Sequence, residues 1–192
     1  MKPKKIILFC LLLISVVASA QEKGTEPLEF AHFDCGITQT KQKMDYRLFA
    51  STPPIELRIN NEKLSYTTFQ FGKRKSKIYL YMRILIDNVC IRQDENVDVY
   101  FESGEIITLK NEYPLNCNSF FARQMKNREL KKFRENKISM IKIYTYKKNY
   151  EHRISDIQNH DIQHYIECLS EYKIKKSNEV KVKKNTKKDE KN

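Results

Sequence analysis

The chain has 192 residues and a formal charge of +12 at pH 7, from 36 Lys and Arg against 24 Asp and Glu. Residues 1–20 carry +3 of this charge and residues 173–192 carry +6, which leaves only +3 for residues 21–172 and does not indicate nucleic-acid binding. The four glycines, at positions 24, 36, 72 and 104, are too far apart to form the glycine-rich motifs of nucleotide-binding enzymes or α/β-hydrolases.

The first twenty residues have the pattern of a signal peptide. Lys2, Lys4 and Lys5 precede an apolar run over residues 6–17, and the small residues 18–20 match a signal-peptidase cleavage site. That run is too short for a permanent membrane span. The sequence therefore predicts an exported chain that begins at Gln21, has no transmembrane segment, and is periplasmic or secreted.

Four cysteines remain after the predicted cleavage: Cys35, Cys90, Cys117 and Cys168. An even number of cysteines in an exported chain predicts two disulfide bonds, and four cysteines allow three connectivities. The favoured pairing is Cys90 with Cys117, because both lie in turn-like sequence flanking one hairpin. Cys35 would then tie the N-terminal segment to Cys168 in the last helix.

Period-two alternation of apolar residues predicts a chain rich in β-strands. The clearest strand covers residues 77–86, where every second residue from Ile78 onward is apolar. Further strands are predicted over residues 44–50, 55–59, 64–71, 119–124, 138–146 and 150–154.

Residues 97–109 predict a β-hairpin. Its turn falls at Ser103-Gly104, where glycine accommodates a positive φ. This arrangement places Val99 and Phe101 opposite Thr108 and Ile106.

Two helices are predicted. Asn127 is the expected N-cap of a short helix over residues 128–136. Ser155 and Gln158 form a capping box for the last helix, which carries an apolar stripe that includes Ile162 and Ile166. After Tyr172 the periodicity stops, so residues 21–172 are expected to form one domain and residues 173–192 a disordered Lys-rich tail.

These elements predict an α+β fold: a mostly antiparallel sheet or open sandwich of about seven to nine strands, with a short helix and a C-terminal helix. The predicted core contains Ile78, Leu80, Met82, Ile84, Val99, Phe101, Ile106, Ile141, Ile143, Ile166 and Leu169.

The spacing of His160, His164 and Cys168 along the last helix could present three zinc ligands. Positions four residues apart drift around a helix, however, and both histidines point away from its apolar stripe. The favoured interpretation is two solvated histidines and Cys168 in a disulfide, so no metal and no cofactor are predicted.

Four basic residues, Lys73, Arg74, Lys75 and Lys77, surround a predicted turn between two strands. With Tyr66, Tyr79 and Tyr81 nearby on the flanking strands, they could bind phosphate, a sulfated glycan or lipid headgroups. The favoured interpretation is a solvated turn whose charges discourage edge pairing.

The predicted leader, the Lys/Asn/Ile-rich composition and the run KISMIKIYTYKKNYEHRIS before a short cysteine-bearing helix resemble uncharacterised small exported proteins of AT-rich Gram-negative bacteria. The likeness covers about the last third of the chain. It implies a C-terminal helix–strand–strand–helix unit and no particular activity.

Without an assembled catalytic set, the sequence favours a non-enzymatic exported domain that binds another protein or an envelope surface. One alternative is a secreted hydrolase whose site forms only in three dimensions, from His152, His160 or His164 with Asp156 or Asp161. The other is an anionic-surface binder that uses the basic turn and tail.

Overall fold

The computed structural model describes residues 35–40 and 48–176. The predicted signal peptide, most of the predicted strand at 44–50 and all but the first residues of the basic tail lie outside these ranges. In the described part, ten strands form two antiparallel sheets, and two helices flank the last two strands, which confirms the predicted α+β class. The elements are β1 Thr38–Gln39, β2 Ala50–Ser51, β3 Ile55–Arg58, β4 Tyr66–Arg74, β5 Lys77–Ile84, β6 Asn96–Phe101, β7 Ile106–Lys110, β8 Phe120–Gln124, α1 Asn127–Glu135, β9 Ile138–Tyr144, β10 Asn149–Arg153 and α2 Asp156–Glu171.

The larger sheet has the order β1-β2-β4-β5-β8, and β3 also pairs with β4. The smaller sheet has the order β10-β9-β6-β7. The hairpin of β4 and β5 is the centre of the larger sheet, with its strands paired from Thr67–Ile84 to Arg74–Lys77. Its alternate residues point inward, so Phe69, Phe71, Leu80 and Met82 enter a core shared with both helices and the smaller sheet.

The predicted core is confirmed at every position except one. Ile106 is 52% exposed. The structure pairs Val99 with Ile107 and Tyr100 with Ile106, one residue away from the predicted register. Gly104 has the expected positive φ of 84°, but the Phe101 amide donates to the Glu105 carbonyl, so the turn is longer than two residues. A slip of one residue exchanges the two faces of a strand.

The helix starts show one error and one success. Asn127, the predicted N-cap, is the first residue of α1, and the preceding Lys126 amide is capped by Glu129 Oε2 at 2.8 Å. The capping box of α2 is confirmed, because Ser155 Oγ accepts from the Gln158 amide at 3.3 Å and Gln158 Oε1 accepts from the Ser155 amide at 3.0 Å.

A short turn after β3 joins the two sheets. Asn60 and Asn61 bond through backbone and side chain to β10, for example from the Asn60 amide to the Glu151 carbonyl at 2.7 Å. Behind this turn His152 is fully enclosed, with Nδ1 3.2 Å from the Arg58 carbonyl and Nε2 3.4 Å from Thr67 Oγ1. A carbonyl only accepts, so Nδ1 carries the proton and Nε2 accepts from the hydroxyl.

Lys73 fastens the end of α2 to strand β4. The last turn of α2 contains no basic residue of its own. The buried Lys73 ammonium donates instead to the carbonyls of Leu169, Ser170 and Tyr172, at 2.6, 3.0 and 2.8 Å. A cation there satisfies helix carbonyls that lack partners and complements the negative end of the helix dipole.

Lys73→Met keeps the apolar stem and removes all three donors. We expect it to lower the free energy of unfolding by about 1.5–3 kcal/mol, the usual range for hydrogen bonds to a charged group. Urea denaturation measures the change. Lys75→Met, at the exposed turn of the same hairpin, is the matched control and should change stability by less than about 0.5 kcal/mol. Equal effects of the two substitutions would contradict the assigned role of Lys73.

Burial lowers the pKa of His152 from 6.5 to about 4. The unfolded chain therefore takes up a proton at a pH where the folded protein does not, so stability is complete above pH 6.5 and falls as the pH drops towards 4. The loss should reach about 3 kcal/mol at pH 4. Urea denaturation of the native protein and of His152→Asn at successive pH values isolates the contribution of His152 to the free energy of unfolding, since the two proteins share all other titrating groups. If the stability of the two proteins changed in the same way with pH, His152 would not be the cause of the loss of stability in acid.

Candidate binding surface

The outer face of the larger sheet carries a row of aromatic side chains: Phe49, Tyr79, Tyr81, Phe120 and Tyr113. We call this row the aromatic face. The ring centroids of Tyr79 and Tyr81 are 6.2 Å apart and those of Tyr81 and Phe120 are 6.0 Å apart, with interplanar angles of 24° and 28°. Phe49 meets Tyr81 edge-on at 5.6 Å, and Tyr113 meets Phe120 at 5.0 Å. Three near-parallel rings thus extend across β5 and β8.

Small residues in the neighbouring strands make room for these rings. Gly72 pairs with Tyr79 across the β4–β5 hairpin, and Ala122 pairs with Tyr81 on the other side. A Cβ atom at Gly72 would overlap the Phe49 ring and lie 2.9 Å from Cε2 of Tyr81. The missing side chain therefore allows Phe49 and Tyr81 to lie against the backbone of the sheet.

An arginine lies at each end of the aromatic face. The Arg74 guanidinium carbon is 5.5 Å from the Phe49 centroid and 5.6 Å from the Tyr79 centroid, within cation–π range. At the other end, exposed Arg83 pairs with Phe120.

Arg83 also lines two shallow depressions, of about 430 and 470 Å³. Tyr113 and Phe120 line the smaller one together with Asn116 and Asn118. The Asn116 amide is already used within this loop, since it donates to the Pro114 and Phe120 carbonyls and accepts from the Phe120 amide. The Arg83 guanidinium and the Asn118 amide are therefore the polar groups placed beside these ring surfaces, as in sites that combine apolar contact with hydrogen bonding.

The four basic residues near the β4–β5 turn have different environments. Lys75 and Lys77 are exposed at the turn. Arg74 lies over two aromatic rings. Lys73 is buried inside strand β4 with its ammonium bonded to the end of α2, so it does not face an external anion as part of an exposed turn.

Both disulfides form with the favoured connectivity, Cys90–Cys117 and Cys35–Cys168. The second bridge lies against His164, whose Nε2 is 3.4 Å from Cys168 Sγ. Both sulfur atoms and a ring nitrogen of His164 lie within 4.8 Å of one another. His160 stacks on His164 with 6.1 Å between the ring centroids. The structure therefore groups Cys35 with His164 and Cys168. The ligand set considered from the sequence was His160, His164 and Cys168, and it did not include Cys35.

The residues of the hydrolase hypothesis are divided between different environments. His152 is enclosed in the core, and burial lowers its pKa to about 4. The Asp156 side chain is 79% exposed and pairs with Lys137 at 2.7 Å. His160 Nδ1 lies 3.9 Å from Asp161 Oδ1. The structure thus separates His152 from Asp156 and places the His160–Asp161 pair on the surface of α2.

Only part of the aromatic face is evident from the sequence. Tyr79 and Tyr81 lie close to the basic turn along the chain, but nothing in the sequence connects them with Phe49, Phe120 or Tyr113. β8 pairs with β5 across an intervening hairpin that belongs to the other sheet, and no local pattern reveals that pairing. The alternation Phe120, Ala122, Gln124 was the available signal that Phe120 faces outward.

Gly72→Ala should destabilise the protein by about 1–3 kcal/mol, because the new methyl group displaces the Phe49 ring. Thermal or urea unfolding measures this cost. In a Phe49→Ala background the same substitution should lower the free energy of unfolding by much less. Phe49→Ala and the double variant Gly72→Ala/Phe49→Ala complete a double-mutant cycle with Gly72→Ala. A cost that is unchanged without the Phe49 ring would mean that backbone effects at Gly72 are responsible.

No protein-family model matches the chain, and no curated protein or solved structure matches it significantly. Among the residues that the structure describes, neither helix is long and apolar enough to cross a membrane.

Proposed function

We propose that this protein is a non-enzymatic binding domain of the periplasm or the cell exterior, and that its ligand is an acidic carbohydrate of the cell envelope. The observation that carries the proposal is the run of three near-parallel rings on the aromatic face, with an arginine at each end. The two disulfides fit a protein that works outside the reducing cytoplasm.

Ring surfaces and sugar rings have complementary chemistry. One face of a pyranose presents C–H groups, which pack on the electron-rich face of an aromatic ring and bury apolar surface. Successive rings about 6 Å apart can contact successive sugars of a chain. Asn118, which lines the same depression as Phe120, carries an amide group that can hydrogen-bond to sugar hydroxyls.

The charges beside the rings favour an acidic sugar over a neutral one. Arg74 lies at one end, where the exposed Lys75 and Lys77 of the turn add positive charge, and Arg83 lies at the other. Guanidinium groups bind carboxylates and sulfates through paired hydrogen bonds. In this proposal the basic turn contributes charge to the ligand site on the aromatic face. The turn is not a second, separate anion-binding site.

Titration calorimetry with an oligogalacturonate tests the proposal directly. Tyr79→Leu and Phe120→Leu keep apolar cover on the sheet but remove the flat rings, so each should weaken binding by about tenfold, or about 1.4 kcal/mol. Arg74→Gln should weaken binding more at low salt than at high salt, because ionic strength screens its charge. A neutral oligoglucan should bind more weakly than the uronate.

Tyr146→Leu is the matched control, since Tyr146 is 64% exposed and contacts Arg92 at 4.4 Å in the turn between β9 and β10. It should leave affinity unchanged. Uronate binding that is insensitive to Tyr79 and Phe120, or no binding to any acidic glycan, would refute the proposal. Release of new reducing ends from the bound glycan would favour the hydrolase alternative.

A further inference from the structure

The bridge between Cys35 and Cys168 has a third soft donor beside it. His164 lies one helical turn before Cys168 on α2, and its Nε2 is 3.4 Å from Cys168 Sγ. All three donor atoms lie within 4.8 Å of one another. Two thiolates and an imidazole are a ligand set that binds zinc and other thiophilic divalent metals, with water in the fourth position.

The donors are held in place by contacts other than the disulfide. Gln39 follows Cys35 closely, and its side chain accepts from the Lys175 amide at 2.9 Å and donates to the Lys175 carbonyl at 2.7 Å. It also accepts from the Tyr172 hydroxyl at 3.1 Å. Lys73 fixes the end of α2 independently. These contacts attach the segment that follows Cys35 to the end of α2 independently of the bridge, so they favour a position of Cys35 near Cys168 after the bridge opens.

The geometry requires only a small rearrangement. In a tetrahedral site with metal–sulfur bonds of about 2.3 Å, the two sulfurs lie about 3.8 Å apart. A change of side-chain rotamer at half-buried Cys35 can provide that separation, while Cys168 and His164 keep their positions on one helix face.

We propose that Cys35, Cys168 and His164 form a redox-gated metal site, closed while the disulfide is intact and able to bind one zinc-like ion after its reduction. An external dithiol supplies the two electrons: the S–S bond breaks, each sulfur gains a hydrogen, and the dithiol becomes a disulfide. Metal binding then releases the two thiol protons to solvent, and the two thiolates balance the charge of the divalent ion. This inference is independent of the proposed carbohydrate binding.

Cobalt(II) is the probe, because thiolate ligation in a tetrahedral site gives a near-ultraviolet charge-transfer band and intense visible bands. The protein is reduced with a dithiol, freed of the reagent without oxygen, and titrated with cobalt chloride. We expect one cobalt per chain with both spectral features in the reduced protein and neither in the oxidised protein. Zinc should displace the cobalt.

Variants identify the ligands. His164→Ala should weaken cobalt binding at least about tenfold, and Cys168→Ser should remove the charge-transfer band expected for two thiolates. His160→Ala, one turn away on the same helix, is the matched control and should change affinity by less than about twofold.

Reduction also opens the Cys90–Cys117 bridge, so Cys90→Ser/Cys117→Ser is titrated in parallel and should retain the site. Retained far-ultraviolet circular dichroism shows that each variant is folded. If the Cys90→Ser/Cys117→Ser variant unfolds, the test is the difference in cobalt affinity between His164→Ala and His160→Ala in the chain that keeps all four cysteines. Absence of cobalt binding in the reduced protein, equal binding in the oxidised protein, or binding that survives His164→Ala would overturn the proposal.

Discussion

The attachment of α2 to the larger sheet is the interaction on which most of the structure depends. α2 brings Ile162, Ile166 and Leu169 into the core, yet its last turn supplies no cation for its own carbonyls. Strand β4 provides that cation from Lys73, and the desolvation that lowers the Lys73 pKa is offset by three carbonyl contacts. The Cys35–Cys168 bridge fastens the same end covalently.

This attachment gives the two faces of the β4–β5 hairpin different environments, one in the core and one at the surface. The face towards α2 is filled by Phe69, Phe71 and Leu80, so the alternate residues must face away from the core. Tyr79 and Tyr81 therefore remain at the surface, where Gly72 lets Phe49 and Tyr81 cover exposed sheet backbone. A single hairpin thus supports the core on one side and carries the aromatic face on the other.

Most features that depend on local spacing were predicted from the sequence, apart from the length of one turn, whereas the burial of Lys73 and the strand pairing behind the aromatic face were not, because both depend on distant residues. Alternation in β5 and the capping box at Ser155 are local patterns, and both are confirmed. Ile106 was misplaced because a turn one residue longer than assumed exchanges strand faces. The burial of Lys73 could not be predicted, because its partners are carbonyls 96 to 99 residues further along the chain.

The cysteine–histidine cluster and the aromatic face are physically connected through short strands. Cys35 leads into β1, which pairs with β2, and the Thr40 amide donates to the Phe49 carbonyl at 3.2 Å. Phe49 is therefore positioned on Gly72 by a segment that is attached near the end of α2. The segment is attached twice, covalently through the Cys35–Cys168 bridge and by the hydrogen bonds of Gln39. When the disulfide opens, the Gln39 hydrogen bonds therefore remain to hold Phe49 over the sheet.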